Sequence, residues 1–564
     1  MDKNQATGLL LISLMVMVYF YFFGGPPELV EQPVQTTEQV VTEQQPDQLN
    51  AAPALPDSVQ QILNQQQYGD LATAAQGTPQ LITVENEDVR LVFNTKGGVI
   101  EEVELKDYKT YTKEPLILVD ANSRTQKLIA RQSGREVNLY DLFYTVEQKE
   151  ANDTIQVTFT LTNETGGTIK QHYFIPKTNG FKINYRIESN GMNGILANGL
   201  TLNWKSDLKA TEKDVATSRI KSTITYYQQD GNFDELSERS TDLENESVAN
   251  LSWITFKQQF FAASVIAPKG FSIGNLTTEA DVNRPDVDKT ATASLTIPTT
   301  ALTNGNLELS YYYGPNNYQI MKKVAPGFNE NVYLGIVGIN LINKWVVVPI
   351  FNWLDNYIAS YGLIIFILVL IIKLALSPLS YKSYLSMAKM KVLKPELDEI
   401  KEKLGGDQQK FQQEQMKLYQ QVGVNPLSGC MPMLLQMPIL YAMFSFFPSS
   451  IELRQQPFLW ADDLSTYDSI MTLPFEIPFY GSHVSLFVIL MTISTILYTW
   501  SNNQMSTVQG PMKTMSYMMP VIFMFVLNSF PAALSYYYFL STLITFGQQA
   551  LIKQYIDEDK ILAV

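Results

Sequence analysis

Ile364-Ile365-Phe366-Ile367-Leu368-Val369-Leu370-Ile371-Ile372-Lys373-Leu374-Ala375-Leu376 is an apolar run broken by a single charge. Extended to Ile358–Ser380, it suits the ~30 Å hydrocarbon core of a bilayer. Apolar segments at Cys430–Phe447, Val484–Trp500, Met515–Leu527 and Ala532–Leu551 repeat the pattern. The last two are separated by Asn528-Ser529-Phe530-Pro531 and read as a tight hairpin of two helices. The expectation is an α-helical polytopic membrane protein. Lys373 is the one charged side chain well inside any predicted span, and no Asp or Glu lies in the span cores.

Upstream, Gly8–Phe23 (GLLLISLMVMVYFYFF) is a further apolar stretch. It reads either as an uncleaved anchor or as a cleaved signal peptide. No small-x-small cleavage site follows, which favours the N-terminal transmembrane anchor 1–23 with Lys3 inside. Residues 24–80, rich in Gln, Glu, Thr and Pro, cannot bury a core and are expected to form a flexible tether. From 81 the period becomes two. Ile155, Val157, Phe159 and Leu161 alternate with Gln156, Thr158 and Thr160, and Phe181, Ile183, Tyr185 and Ile187 do the same. Gly97-Gly98 separates two further alternating runs. Residues 81–318 therefore predict a large antiparallel β-sandwich.

Val332–Phe351 is apolar but interrupted by Asn340, Asn343, Lys344 and Pro349. Two amides and a charge at mid-bilayer are costly, so 331–352 reads as an amphipathic helix in the outer interface. The loops set the orientation. Residues 381–427 carry Lys382, Lys389, Lys391, Lys394, Lys401, Lys403, Lys410 and Lys417, whereas 448–482 carry Arg454 alone beside five acids. Positive-inside bias places 381–427 and 501–513 in the cytoplasm and 448–482 outside. The resulting topology has six transmembrane helices, both termini cytoplasmic, and the β-domain outside. An outer domain of this kind implies a periplasm, and hence the inner membrane of a Gram-negative cell. The five-helix core spans 353–551, and a short tail covers 552–564.

Residues 381–427 form an expected helical hairpin. Leu393, Leu397, Ile400 and Leu404 recur at helical spacing, Gly405-Gly406 stops the helix, and Phe411, Leu418 and Val422 stripe the second one. It is either a connector or a lysine-bearing dock. Fifteen of the 20 methionines fall within 387–524, a bias that suits surfaces accepting many apolar sequences and equally suits ordinary packing. The net charge of −14 argues against a general nucleic-acid surface. One cysteine, Cys430, excludes an internal disulfide, and His172 and His483 give no metal-ligand spacing. No nucleotide-binding loop is evident.

For Lys373 two readings stand level. It could snorkel toward the inner headgroups, ~10 Å away at Ser380, or face a wet cavity. Ser541, Thr542, Thr545 and Gln548 share a side of the last helix, and Gln436 adds an amide to the third span. These groups line a cavity or simply bond between helices.

Ser386-Met387-Ala388-Lys389-Met390, Val424-Asn425-Pro426-Leu427-Ser428-Gly429-Cys430, Leu435-Gln436-Met437-Pro438-Ile439, Met519-Pro520-Val521-Ile522-Phe523 and Phe530-Pro531 resemble signature stretches of the YidC/Oxa/Alb insertase family. The first helix and outer domain resemble its Gram-negative YidC type. The resemblance implies a non-enzymatic insertase and chaperone without cofactor or metal, whose five-helix core encloses a hydrophilic groove. Lys373 then stands where the family has a groove arginine. Tyr537 and Tyr538 match tyrosines lining the substrate slide. Gln436, Ser541, Thr542, Thr545 and Gln548 become substrate-contact candidates, and Lys389, Lys391, Lys394 and Lys401 docking candidates on the hairpin. The implied partners are nascent membrane proteins, membrane lipid, the SecYEG/SecDF translocon and, through the cytoplasmic loops, a ribosome or signal recognition particle. The tail, with Asp557, Glu558 and Asp559, lacks the long basic extension of some relatives. The outer domain resembles sugar-binding supersandwich folds, which alone implies no sugar binding. A secondary transporter or channel would favour intramembrane carboxylates or inverted repeats, and neither is evident. An anchored outer-domain enzyme is a third reading.

Overall fold

The computed structural model describes residues 57–132, 134–192, 195–196, 199–302, 306–405, 408–422, 431–505 and 511–555 of the 564-residue chain. The expected anchor Gly8–Phe23, the first part of the tether, Cys430 and most of the short tail lie outside them. The described residues fall into two compact units, 57–315 with 319–331 and 316–318 with 332–555.

The first unit is built from strands, because its alternating residues have one buried face. Along Thr154–Thr162, the side chains of Ile155, Val157, Phe159 and Leu161 are buried and their neighbours are not. A four-stranded meander runs through Leu81–Glu85, Val89–Asn94, Val99–Lys109 and Pro115–Val119. A thirteen-stranded sheet carries the rest, with Leu200–Lys209, Val287–Ile297, Phe261–Glu279 and Leu307–Pro315 adjacent at its centre. The described pairings are antiparallel.

Aromatic side chains close the two sheets on each other. Phe93 of the meander lies 5.6 Å from Phe159 and 4.9 Å from Tyr173, ring centre to ring centre. Gly97 and Gly98 have φ of 86° and 59°, which glycine adopts without strain. Their buried carbonyls accept from Gln171 Nε2 at 2.8 Å and Tyr173 Oη at 2.8 Å, so this turn is bonded into the core.

The tether differs from expectation at its end. Asp57–Tyr68 is a helix, α1, followed by a 3-10 turn at Gly69–Ala75. Leu71 is fully buried, and Phe143 N–H donates to the Ala74 carbonyl at 2.8 Å. Polar composition hid this docking, which needs just one leucine and backbone bonds.

The second unit is helical. Ile339–Ile342, a π-turn at Asn343–Val347 and α2 (Val348–Asp355) replace the single interfacial helix expected over 331–352. Gly335 and Gly338 sit at φ of 105° and 91° and keep the preceding residues out of the helix. Pro349 supplies no N–H to the ladder, consistent with the wider turn before it. Asn343 is fully buried, and its Nδ2 donates to the Leu334 and Ala442 carbonyls at 2.8 Å each. It anchors this segment to the bundle instead of facing water.

The long helix α3, Tyr361–Val392, continues well past Ser380. Then come α4 (Lys394–Lys403), α5 (Gln408–Gln421), α6 (Met431–Phe446), α7 (Leu486–Met505), α8 (Pro511–Leu527) and α9 (Ala532–Tyr555). Among the described residues, Tyr361–Ser386 is the one helix long and apolar enough to cross a membrane by length and composition alone. In the hairpin, Leu393, Leu397 and Tyr419 pack with Tyr384 of α3, beside Leu418 and Ile552. Val422 is exposed and leaves the expected stripe.

One buried acid in the β unit gives a pH prediction. Asp288 is fully buried; its Oδ2 accepts from Ser218 Oγ at 2.5 Å and Ser222 Oγ at 3.2 Å. Burial pushes its carboxyl from 3.8 up to about 7. The folded chain then holds this proton more tightly than the unfolded chain. Stability therefore falls as pH rises from 3.8 toward about 7, and this contribution is level above that. The window is worth on the order of 4 kcal/mol. Asp288→Asn should flatten the fall and raise the melting temperature of the β unit at pH 8, read by circular dichroism across pH 4–8. An unchanged pH slope in the variant would remove Asp288 from the account.

Candidate functional site

Three helices meet around Lys373. The side chain leaves α3, is 6% exposed, and donates to Gln436 Oε1 of α6 at 3.0 Å and Thr545 Oγ1 of α9 at 2.8 Å. Gln436 Nε2 passes the network on to Ser541 Oγ at 3.1 Å. Thr545 Oγ1 donates to the Ser541 carbonyl at 2.7 Å, and Gln548 Nε2 to the Lys373 carbonyl at 3.1 Å. Ser541, Thr545 and Gln548 lie four and three residues apart, so the helical period alone places them on one face. The ammonium rests on neutral oxygens; no ion pair to Lys373 is found among the described residues.

Thr542, expected on the same face, bonds instead to its own helix, donating to the Tyr538 carbonyl at 2.9 Å. The two tyrosines part company. Tyr537 is 2% exposed with its ring 5.8 Å from Phe447. Tyr538 joins the apolar cluster of Val488, Met491 and Leu527 with Phe444 and Phe530. Of the docking lysines, Lys389 is half-buried on the extension of α3 and Lys401 is exposed on α4. The side chains of Lys391 and Lys394 lie outside the described residues. Among the described residues, no His, Cys, Asp and Glu cluster could hold a metal ion.

Sequence reasoning missed the staple at the start of α7. Asp468, 3% exposed, accepts from Leu486 N–H at 2.8 Å, Phe487 N–H at 3.1 Å and Trp460 Nε1 at 2.9 Å, and also from Ser485 Oγ. A carboxylate on the first N–H groups of a helix satisfies orphan donors and complements the helix dipole. Asn528, fully buried between α8 and α9, donates to the Tyr480 and His483 carbonyls at 2.8 Å each and accepts from Ser485 N–H at 3.1 Å. Ala532 and Ala533 N–H donate to the Thr466 and Leu464 carbonyls at 2.8 and 3.0 Å. Ser485 before an apolar run was a readable cap signal. Asp468, seventeen residues earlier, was not.

The β-rich unit and the helical unit match two family models, which together define the class, an inner-membrane protein with a periplasmic domain. Residues 81–352 match the family model described as the YidC periplasmic domain, and 353–559 match that of the 60Kd inner membrane protein. The chain is 44% identical over 578 residues to the membrane protein insertase YidC of Amoebophilus asiaticus, covering 100% of this chain and 94% of that protein. It is 45% identical over 573 residues to the membrane protein insertase YidC of Cytophaga hutchinsonii, covering 100% and 92%. A solved active YidC insertase with its first transmembrane domain resolved aligns at 19% identity and a TM-score of 0.34, covering 84% of this chain and 93% of that one. The chain belongs to the YidC family.

Thr545→Val deletes one of the two acceptors that hold the Lys373 ammonium. The expected cost is about 1.5–3 kcal/mol, the range for a hydrogen bond to a charged group. Thr542→Val, which removes a bond within one helix, should cost clearly less. Equilibrium denaturation of the purified chain in detergent separates the two; equal losses would mean that the Lys373 contact adds nothing.

Proposed function

We propose that this protein inserts and folds nascent membrane proteins into the inner membrane through a hydrophilic groove built around Lys373. The observation that carries the reading is the Lys373 ammonium, set in a helix apolar enough to span a bilayer and held, among the described residues, by Gln436 and Thr545 of two further helices. Neutral acceptors leave the positive charge uncompensated. Such a site attracts the polar or acidic flank of an entering segment. It lacks the titrating carboxylates that a proton relay or secondary transporter would use.

In the proposed step, the flank's carbonyl or carboxylate oxygens take the place of Gln436 or Thr545 on the ammonium. The displaced amide and hydroxyl turn to Ser541 and Gln548 or to the guest backbone. Each backbone group stranded in hydrocarbon costs several kcal/mol, so supplying partners on the way lowers the barrier. The apolar part of the guest then partitions into lipid. Burial at roughly 25 cal/mol per Å² over some 20 residues supplies the drive, and no nucleotide hydrolysis is needed. Tyr537, Tyr538 and Thr542 belong to the walls of this path. Their packed positions make them shape-giving rather than first contacts.

The proposal includes the six-span topology with both termini cytoplasmic, the five-helix core over 353–551 and 331–352 in the outer interface. Exposed Trp345 and Trp353 with Lys344 suit that interfacial placement. It also includes the hairpin lysines, Lys389, Lys391, Lys394 and Lys401, as a dock for a ribosome or signal recognition particle, and cooperation with a SecYEG/SecDF translocon. The relatives' name, membrane protein insertase, supports the substrate class, and on this reading no covalent reaction is part of the cycle.

The test is depletion of the protein and complementation with Lys373→Arg, Lys373→Leu and Lys373→Glu, scored by insertion of a small two-helix membrane protein. Arg should support insertion. Leu and Glu should lower it on the order of tenfold, equivalent to about 1.4 kcal/mol of lost stabilisation of the guest's polar flank. Full insertion with both Leu and Glu would overturn the role of the charge. Full insertion on depletion, with no paralogue present, would overturn the insertase reading itself.

A further inference from the structure

Met471–Ile477 and Gly481–Val484 form a two-stranded hairpin that ends two residues before α7 begins at Leu486. One side of it is fixed. Ile470 N–H donates to the Val484 carbonyl at 3.0 Å, and Tyr480 and His483, each 7% exposed, are held by Asn528. The rest of it is bare and mostly apolar: Ile470, Met471, Phe475 and Phe479 are 49%, 54%, 61% and 88% exposed, with Thr472, Glu476 and Ser482 as the exposed polar residues among them.

The tip is the informative part. Ile477-Pro478-Phe479-Tyr480 is a β-turn closed by Tyr480 N–H on the Ile477 carbonyl at 3.0 Å. Pro478 occupies the second position, as proline prefers, and Phe479 the third, with φ of 66°. That position favours Gly or Asn, because a β-carbon is strained there. A phenylalanine in this conformation, with its ring 88% exposed, gains little from packing among the described residues. Its conformation is explained if the ring enters an apolar phase beyond the chain.

We propose that this hairpin is an aromatic finger that enters the outer leaflet at the headgroup boundary and fixes the outer end of α7 at that depth. This rests on the proposed topology, in which α7 starts at the outer surface. Two observations select lipid as the occupant. The hairpin is continuous with a membrane helix across the single residue Ser485, so its bare side starts at the bilayer surface. The chain also has no Lys or Arg from 455 to 512, so an acidic protein or an anionic headgroup finds no counter-charge, whereas the boundary of a zwitterionic leaflet accepts Phe, Ile, Met and Pro without one.

The full chain, with Cys430 replaced by Ser, takes single cysteines at Phe475→Cys, Phe479→Cys, Leu497→Cys on exposed α7 and Leu243→Cys on the exposed β unit. Each is labelled with a polarity-sensitive fluorophore and reconstituted into phosphatidylcholine vesicles carrying shallow or deep spin-labelled lipid. At 475 and 479 the shallow lipid should quench more than the deep lipid. The ratio of lipid to aqueous iodide quenching there should exceed that at 243 on the order of tenfold, as for a ring 5–10 Å into the boundary. Iodide quenching alone at 475 and 479, with lipid quenching at 497, overturns the finger and leaves the topology standing. Absence of lipid quenching at 497 overturns the topology and the finger with it. Shielding at 479 that disappears on diluting the protein in lipid assigns the hairpin to a second copy and also overturns the proposal.

Discussion

An ammonium stays inside a helical bundle when oxygens replace the water it gives up, and this requirement organises the second unit. Lys373 receives its oxygens from Gln436 on α6 and Thr545 on α9, so three helices that are distant in sequence must hold one register. Sliding α9 by one residue turns Thr545 about 100° away from the ammonium and breaks the Gln548 bond to the Lys373 carbonyl with it. Pro378, Pro438 and Pro520 each remove an N–H from a helix and free a carbonyl, so the bundle has further acceptors to satisfy. Packing alone would tolerate small slides. The polar network does not, because each missed bond leaves a group stranded in a low-dielectric medium.

The two ends of the helical unit are held by different kinds of force. Around the start of α7, Asp468, Ser485 and Asn528 tie the helix ends and the preceding loop with directional bonds to backbone groups. At the other end of α3, the hairpin sits on Tyr384 through Leu393, Leu397 and Tyr419, which are apolar contacts. Directional bonds fail as a set when displaced, whereas apolar contacts trade partners at little cost. On the proposed topology the first is the outer end and the second the inner end, and a rigid outer end with a yielding inner one suits a groove that admits guests from the inner side.

Most of the β unit was legible, because a strand with one wet face writes its burial into alternate residues, as at Ile155, Val157, Phe159 and Leu161. The site was legible where geometry is local. Ser541, Thr545 and Gln548 follow from helical spacing, and Lys373 from its isolation in an apolar run. Thr542 was not legible, because a threonine hydroxyl can bond across helices or to the carbonyl four residues back, and its sequence neighbours do not decide which. Tyr537 and Tyr538 are adjacent, so a helix points them about 100° apart, and packing rather than spacing decides what each ring meets. Asn343 reads as a polar break in an apolar helix and is in fact its anchor, because two backbone carbonyls wait for it. The docking of Leu71 was hidden for the converse reason, since one buried leucine leaves no period to detect.

The identity of the central cation follows from its partners. An arginine presents a flat fork of five N–H groups and is best served by coplanar paired oxygens, such as a carboxylate. Lys373 meets one amide oxygen and one hydroxyl oxygen on different helices, an arrangement that a compact ammonium with freely rotating N–H groups satisfies without requiring coplanarity. Two of its three donors are thereby used, and the third has no partner among the described residues. In the proposed exchange, a guest oxygen takes that third donor once the helices around the 6%-exposed side chain part. On the proposed reading, lysine gives up the selectivity of a bidentate fork and gains a contact that exchanges one oxygen at a time. That suits a groove whose guests share a polar flank but no common sequence.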